Sequence, residues 1–436
     1  MDFRRRALDL LRQAFVDGEA EILRALQADL GKTAHEGYLS EVGLVYDEIR
    51  FARRRLRRWA RPRRAHTPLI HWPAASVVRP EPYGISLIIS PWNYPFQLAA
   101  APLVAAVAAG NCVILKPSEL SPNTSGAIAR ILGRWLDPAH VAVVEGDVAV
   151  SRSLLDMRFD KIFFTGSTRV GKIVMGAAAR RLTPVTLELG GKSPCIVAED
   201  ADLPTAARRI AWGKFINAGQ TCVAPDYLLV HEQVKEDLLN RIEASIGAFF
   251  GKDPQKSPDY SRIINREHFD RLSGLLGAGR IRCGGRTDAD DRYIAPTVID
   301  RISWGDPIME EEIFGPLLPV LSFSDIDEAV ASVKNCPDPL ALYFFGKSEK
   351  ERKKVVNGIS FGGGCINDTL LHLANPHLPF GGVGQSGMGV YHGRAGFDAF
   401  SHSKSMLKRT SFPELPVRFP PYSRWKTWLA RMLFRR

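Results

Sequence analysis

The sequence predicts an α/β protein built as two consecutive wound domains, and three observations carry that expectation. Its 436 residues exceed what one ordinary core accommodates, since single cores stop growing at about 250–300 residues. Hydrophobic residues make up 45% of the chain, enough to fill large cores. Short apolar runs alternate with longer amphipathic ones from Gly84 to about Tyr391, the pattern of strands joined by crossover helices.

In the first domain the runs Ile85–Ile89, Cys112–Leu115, Val141–Val144, Lys161–Phe164 and Val185–Leu189 are expected as strands. Each is short and largely apolar, as a strand covered by helices on both faces must be. Between them Leu98–Ala109, Asn123–Leu136, Asp147–Asp156 and Gly166–Arg180 are expected as helices. Leu98 to Leu115 is nearly long enough to cross a bilayer, which takes about 20 apolar residues. Pro102, Gly110 and Asn111 interrupt it, however, and the run then turns β-branched; a buried helix leading into a buried strand follows. The second alternation starts at Pro194, with helices expected over Leu203–Asn217, Lys235–Phe250 and Asp325–Asn335.

The formal charge is +11, and nine arginines crowd Arg50 to Arg64, in a helical stretch expected to end near Pro62. A solvated helix face accounts for such a run, as does an anionic lipid or nucleic-acid partner. Only Trp59 accompanies it for base stacking, which argues against nucleic acid. Six scattered cysteines, with no CxxC pair or Cys/His cluster, point to neither a disulfide framework nor a metal site, and so to a reduced compartment. Cys112, Cys195 and Cys336 read as buried structural residues. No apolar segment follows Arg4, Arg5 and Arg6, so a secretory leader is not expected and the cytoplasm is.

Two motifs carry chemistry. In Phe215-Ile216-Asn217-Ala218-Gly219-Gln220-Thr221-Cys222 a cysteine follows a glycine-punctuated helix end among polar neighbours, where a nucleophile can be exposed. In Leu187-Glu188-Leu189-Gly190-Gly191-Lys192 a carboxylate stands at the end of an apolar strand. It is either a base or a paired structural residue on an edge strand. Asn93, in Pro91-Trp92-Asn93-Tyr94-Pro95, follows the first strand, at the carboxyl end where open α/β sheets bind ligands; it makes a turn or donates to an oxyanion. Thr165-Gly166-Ser167-Thr168-Arg169-Val170-Gly171 leaves a strand and opens a helix, a place for a pyrophosphate, although the spacing is not GxGxxG.

Together these segments resemble the aldehyde dehydrogenase superfamily, and Gly191-Lys192-Ser193-Pro194-Cys195 with Cys222-Val223-Ala224-Pro225-Asp226-Tyr227 resembles its class 3 branch. The resemblance runs from the first helix to Pro421. It implies a Rossmann-like NAD(P)-binding domain over 1–66 and 82–190 and a catalytic domain over 191–391. A small bridging element that builds a homodimer would take 67–81 and 392–412. Cys222 would be the nucleophile, Asn93 with the Cys222 amide the oxyanion site, and Glu188 the base that hydrolyses a thioester. Lys116 and Glu119 would face the adenosine ribose, with Gly166, Ser167 and Gly171 at the phosphates. Glu312 and Phe314 would hold the nicotinamide end, although Glu310 to Glu312 also suits a solvated acidic run. Glu119 favours NAD, with NADP as the alternative. Tyr94, Thr221, Phe380 and His392 would line an apolar channel for a medium- or long-chain aliphatic or aromatic aldehyde. His392 shows no metal partner or triad and equally suits packing. Gly363-Gly364-Cys365-Ile366 departs from the family's small residues before Asn367-Asp368 and leaves the pocket shape open. An acylating or reducing relative is disfavoured by Glu188, because branches that pass the acyl group to coenzyme A generally lack a carboxylate there. A silent scaffold on the same fold is disfavoured by the filled catalytic positions.

Residues 413–436 form a basic amphipathic tail: Trp425, Trp428, Leu429, Met432 and Leu433 recur at helical spacing among Arg424, Lys426, Arg431, Arg435 and Arg436. Such a segment suits a helix lying on an anionic membrane surface or one docked on a dimer partner.

Overall fold

The computed structural model describes residues 1–411 and 416–434. The first sheet has six strands, in the order Gly387–Met388, Val185–Glu188, Lys161–Thr165, Ile85–Ile89, Cys112–Lys116 and Val141–Val143. All pair in parallel except the outermost Gly387–Met388, which runs antiparallel with Gly387 opposite Glu188. The second sheet runs Arg280–Cys283, Thr297–Asp300, Leu317–Phe323, Tyr227–His231, Pro194–Val197, Ala341–Phe345, Gly363–Ile366, again parallel except for its first strand. A separate antiparallel sheet joins Arg63–Ala65, Ala74–Pro82 and Ser401–Arg409. The architecture is mixed α/β, as the alternating pattern requires.

The helices follow the expected pattern closely. Gln97–Ala109 is buried at every position, which is why its sequence is apolar all round. It packs against the N-terminal helices Asp2–Asp17 and Gly43–Trp59, and Glu19–Leu30 packs on Pro122–Trp135. Among the described residues no helix is long and apolar enough to cross a membrane.

Several local expectations change. The arginine-rich helix ends at Trp59, and beyond Pro62 the segment Arg63–Ala65 is a strand of the three-stranded sheet. The Leu203–Phe215 helix stops two residues before Asn217, and Leu189 lies past the end of its strand. Cys195 is buried, but Cys112 is exposed and Cys336 only partly covered. Cys112 is the first residue of its strand, and the residues after it are the covered ones.

Candidate active site

The loop leading to Cys222 is a strained turn held by distant partners. Past the Leu203–Phe215 helix the backbone enters the left-handed region at three successive residues, Asn217 (φ 52°), Ala218 (φ 50°) and Gly219 (φ 72°). The two non-glycine residues cost about 1–2 kcal/mol each in that conformation. Gly219 is obligatory for a second reason: a Cβ there would lie 2.2 Å from the Gly315 carbonyl oxygen. The turn is gripped on every side. The Asn217 N–H donates to Glu36 Oε1 at 3.0 Å, and Asn217 Nδ2 donates to the Asn93 carbonyl at 2.8 Å. Gln220 Nε2 donates to the carbonyls of Asn217 and Arg262, both at 3.0 Å, while Gln220 Oε1 accepts the Ile264 N–H at 2.9 Å.

Cys222 emerges from this turn partly exposed. Burial pushes its thiol up, and the Glu312 and Glu188 carboxylates push it further; the backbone N–H groups of Cys222 and Val223 act in the opposite direction. Asn93 is 2% exposed and its Nδ2 donates to the Gln220 carbonyl at 3.1 Å, which places it against the same loop. Tyr94 Oη and Thr221 Oγ1 share a 2.7 Å hydrogen bond.

Glu188 is 2% exposed, and neither carboxylate oxygen has a hydrogen-bond partner among the described residues. Burial alone holds its carboxyl well above the usual range. Its strand is covered at the edge by Gly387–Met388, so it does not sit on an open edge. Glu312 is pushed up to about 8 by burial and by Asp226, against the Gly191 N–H, Lys192 and Arg271. Gly190 makes room for it, because a Cβ at that position would lie 1.9 Å from Glu312 Oε2. The Leu-Gly-Gly wording of the sequence thus has a steric cause.

Ser167 caps the Thr168–Ala179 helix, with its Oγ accepting the Val170 N–H at 3.4 Å. Gly171 lets this helix sit against the sheet end, since a Cβ there would lie 2.6 Å from Leu189 Cδ2. At Gly166 a Cβ would lie 2.6 Å from the Phe164 ring. Lys116 is buried, and its Nζ reaches Glu119 Oε2 at 2.6 Å; Glu119 itself is exposed. A helix N-terminus, an ammonium and an exposed carboxylate at the carboxyl ends of parallel strands are a donor set that fits a dinucleotide. Phe314 adopts φ 51° and meets Trp92 edge to face at 5.3 Å.

Residues 1–406 match the aldehyde dehydrogenase family. The chain belongs to that family. A Staphylococcus aureus relative, 4,4'-diaponeurosporen-aldehyde dehydrogenase, is 49% identical over 97% of this chain and 92% of its own. Rat aldehyde dehydrogenase family 3 member B1 is 47% identical over 97% of this chain and 91% of its own. The substrate-bound structure of Staphylococcus aureus AldH superposes with a TM-score of 0.98 at 48% identity, covering 100% of this chain and 95% of that one. The protein is therefore an NAD(P)-dependent aldehyde dehydrogenase, which oxidises an aldehyde to the acid.

In this aldehyde dehydrogenase Phe380 is buried and bridges to Tyr391, and its ring meets His392 at 5.7 Å. His392 has a partner the sequence did not suggest: Glu48 Oε2 lies 3.8 Å from its Nδ1, and Tyr391 stacks on its ring at 4.2 Å. Cys365, where the sequence departs from the family, places Sγ 3.5 Å from His372 Nδ1. Burial lowers His372 to about 4, and its ring stands 6.1 Å from Phe380. Sequence reasoning missed His372, and also His268, which packs 4.9 Å from Trp92. Neither histidine falls in a motif, so only the fold reveals them.

Proposed function

We propose that Cys222, Asn93 and Glu188 form the catalytic set for a medium- or long-chain aliphatic or aromatic aldehyde. The thiolate of Cys222 attacks the carbonyl carbon, and the carbonyl oxygen gains charge within reach of Asn93 Nδ2 and the Cys222 N–H. The resulting thiohemiacetal carbon carries the hydrogen to be lost. NAD(P), when bound, supplies the hydride acceptor, with Lys116, Glu119, Gly166, Ser167 and Gly171 holding its adenosine and phosphates. Glu312 and Phe314 hold its nicotinamide end. On the resulting Cys222 thioester, Glu188 takes a proton from water as the water oxygen attacks. The C–S bond breaks, the acid leaves, and Cys222 departs as thiolate.

The observation that carries this reading is the buried, unpartnered carboxylate of Glu188 beside Cys222. A carboxyl in that setting resists ionisation in the resting protein and is a strong base once ionised, which is what thioester hydrolysis needs. Tyr94, Thr221, Phe380 and His392 supply a mostly aromatic wall for an apolar substrate, and a relative is named for 4,4'-diaponeurosporen-aldehyde. The test is a panel of aliphatic, aromatic and terpenoid aldehydes, following NADH or NADPH absorbance with and without coenzyme A. Turnover of apolar aldehydes without coenzyme A is expected; dependence on coenzyme A overturns the hydrolytic reading.

The six-stranded, seven-stranded and three-stranded sheets correspond on this reading to the nucleotide, catalytic and bridging units, and the last pairs two copies. Its outer strand is exposed from His402 to Lys408, which leaves an edge for a second chain. Light scattering reads the dimer directly, and a monomer at micromolar concentration overturns it.

A peripheral membrane contact through the tail is favoured by one observation. The Arg424–Phe434 helix buries none of its residues and leaves Trp425, Trp428, Met432 and Phe434 exposed beside Arg424, Lys426 and Arg431; Arg435 and Arg436 lie outside the described residues. Deleting 423–436 is expected to abolish co-sedimentation with anionic vesicles at low salt and to spare turnover of a short aldehyde. Equal sedimentation of both forms refutes it.

A further inference from the structure

Two charged side chains with no part in that chemistry lie directly behind it. Lys32 follows the Glu19–Leu30 helix, and Glu41 sits in the π-helical turn Tyr38–Val42. Both side chains are 0% exposed, and Lys32 Nζ lies 2.6 Å from Glu41 Oε1. Lys32 Nζ also donates to the Asn93 carbonyl at 3.1 Å and stands 4.0 Å from the centre of the Tyr94 ring. The other oxygen of Glu41 accepts the N–H groups of Phe96 at 2.9 Å and Gln97 at 3.1 Å. The pair therefore holds both ends of the segment Asn93 to Gln97.

The same stretch of chain reaches the nucleophile turn. Glu36 Oε1 takes the Asn217 N–H, and Asn217 Nδ2 donates to the Asn93 carbonyl that Lys32 also holds. One carbonyl oxygen thus ties the N-terminal helices, the Asn93 loop and the Cys222 loop together. A buried ion pair stabilises a fold poorly, because desolvation offsets the attraction and an apolar pair of similar volume often does as well. What it provides is fixed direction, and π-helical turns recur at functional sites.

We infer that Lys32 and Glu41 are positioning residues for the oxyanion site: they fix the backbone of Asn93 so that its side-chain amide reaches both the Gln220 carbonyl and the oxygen developing on the Cys222 adduct. This rests on Asn93 as the oxyanion donor. Misplacing such a donor by about 1 Å costs on the order of 100-fold in rate.

The experiment is a double-mutant cycle on the full-length holoenzyme. Asn93→Ala is expected to lower kcat about 100- to 1,000-fold, and Lys32→Met about 100-fold, with the NAD(P) dissociation constant unchanged. Lys32→Met added to Asn93→Ala should bring no further loss. Alkylation of Cys222 by iodoacetamide, which develops no oxyanion, should proceed at the wild-type rate in Lys32→Met, and Lys32→Arg should recover part of kcat. Should Lys32→Met leave Glu41 uncompensated and fail to fold, Lys32→Met/Glu41→Leu removes both charges and carries the same expectations. A double variant that loses the product of the two single effects, or alkylation that slows in step with kcat, overturns the inference and leaves the role of Asn93 intact. Full turnover by Asn93→Ala overturns both.

Discussion

Glu119 and Glu188 hold the same functional group in opposite settings. Glu119 is exposed and held by Lys116 at 2.6 Å. Glu188 is buried with no hydrogen-bond partner among the described residues, and Glu312 is raised to about 8. A carboxylate held by an ammonium presents a fixed charge to whatever approaches. One stripped of partners has its proton in play, and its neighbours feel whether that proton is there. On the proposed assignment, recognition and chemistry are divided by solvation, with identical side chains in both roles.

The division can be tested from its strongest consequence downwards. Cys222→Ala should abolish aldehyde oxidation while NAD(P) binding, followed by fluorescence titration, stays intact; turnover above background would show that the reaction end does not depend on this thiol. Glu188→Gln keeps the shape and removes the base, so rapid-mixing absorbance should show one equivalent of NADH and then a stalled acyl-enzyme. Because burial raises Glu188, the base form appears only as pH rises, and wild-type steady-state turnover should climb with pH until Glu188 is ionised. In Glu188→Gln the stall should persist across that pH range.

Weaker effects probe the interplay of charges. Ionised Glu312 opposes the Cys222 thiolate, and its charge is present only above about 8. Glu312→Gln should therefore speed alkylation of Cys222 severalfold above that pH and leave it unchanged near pH 6. Equal rates at both would separate the two groups. The smallest effect belongs to the mouth, where Glu119→Gln should raise the ratio of NADP to NAD efficiency a few-fold by removing charge near the 2′ position. An unchanged ratio would mean that Glu119 does not read the ribose.

Much of the fold was legible because strands and helices here are short, periodic and cleanly punctuated. Lys235–Phe250 matches its apolar spacing to the residue, and Gly219 is fixed by its positive φ and its contact with the Gly315 backbone. What stayed hidden depends on distant partners. Gly387–Met388 is too short to show a period, yet it covers the strand of Glu188. Glu48 reaches His392 and Lys32 reaches Asn93 across sequence gaps that no local pattern encodes. Cys112 looked buried because its run is apolar, but burial depends on how far along the sheet the helices extend.

The covering of Val185–Glu188 by Gly387–Met388 also has a temporal meaning. At about 5–20 residues per second of synthesis, roughly 10–40 s pass between the appearance of one strand and of the other. Until then the six-stranded sheet lacks its border at Glu188 and the three-stranded sheet lacks Ser401–Arg409, and an unpaired strand is a template for any extended segment nearby. Ribosomes that stop just short of residue 387 release a chain whose borders are still open, although Asn93, Glu188 and Cys222 are all present, so early termination exposes this protein to aggregation before it removes any of those three.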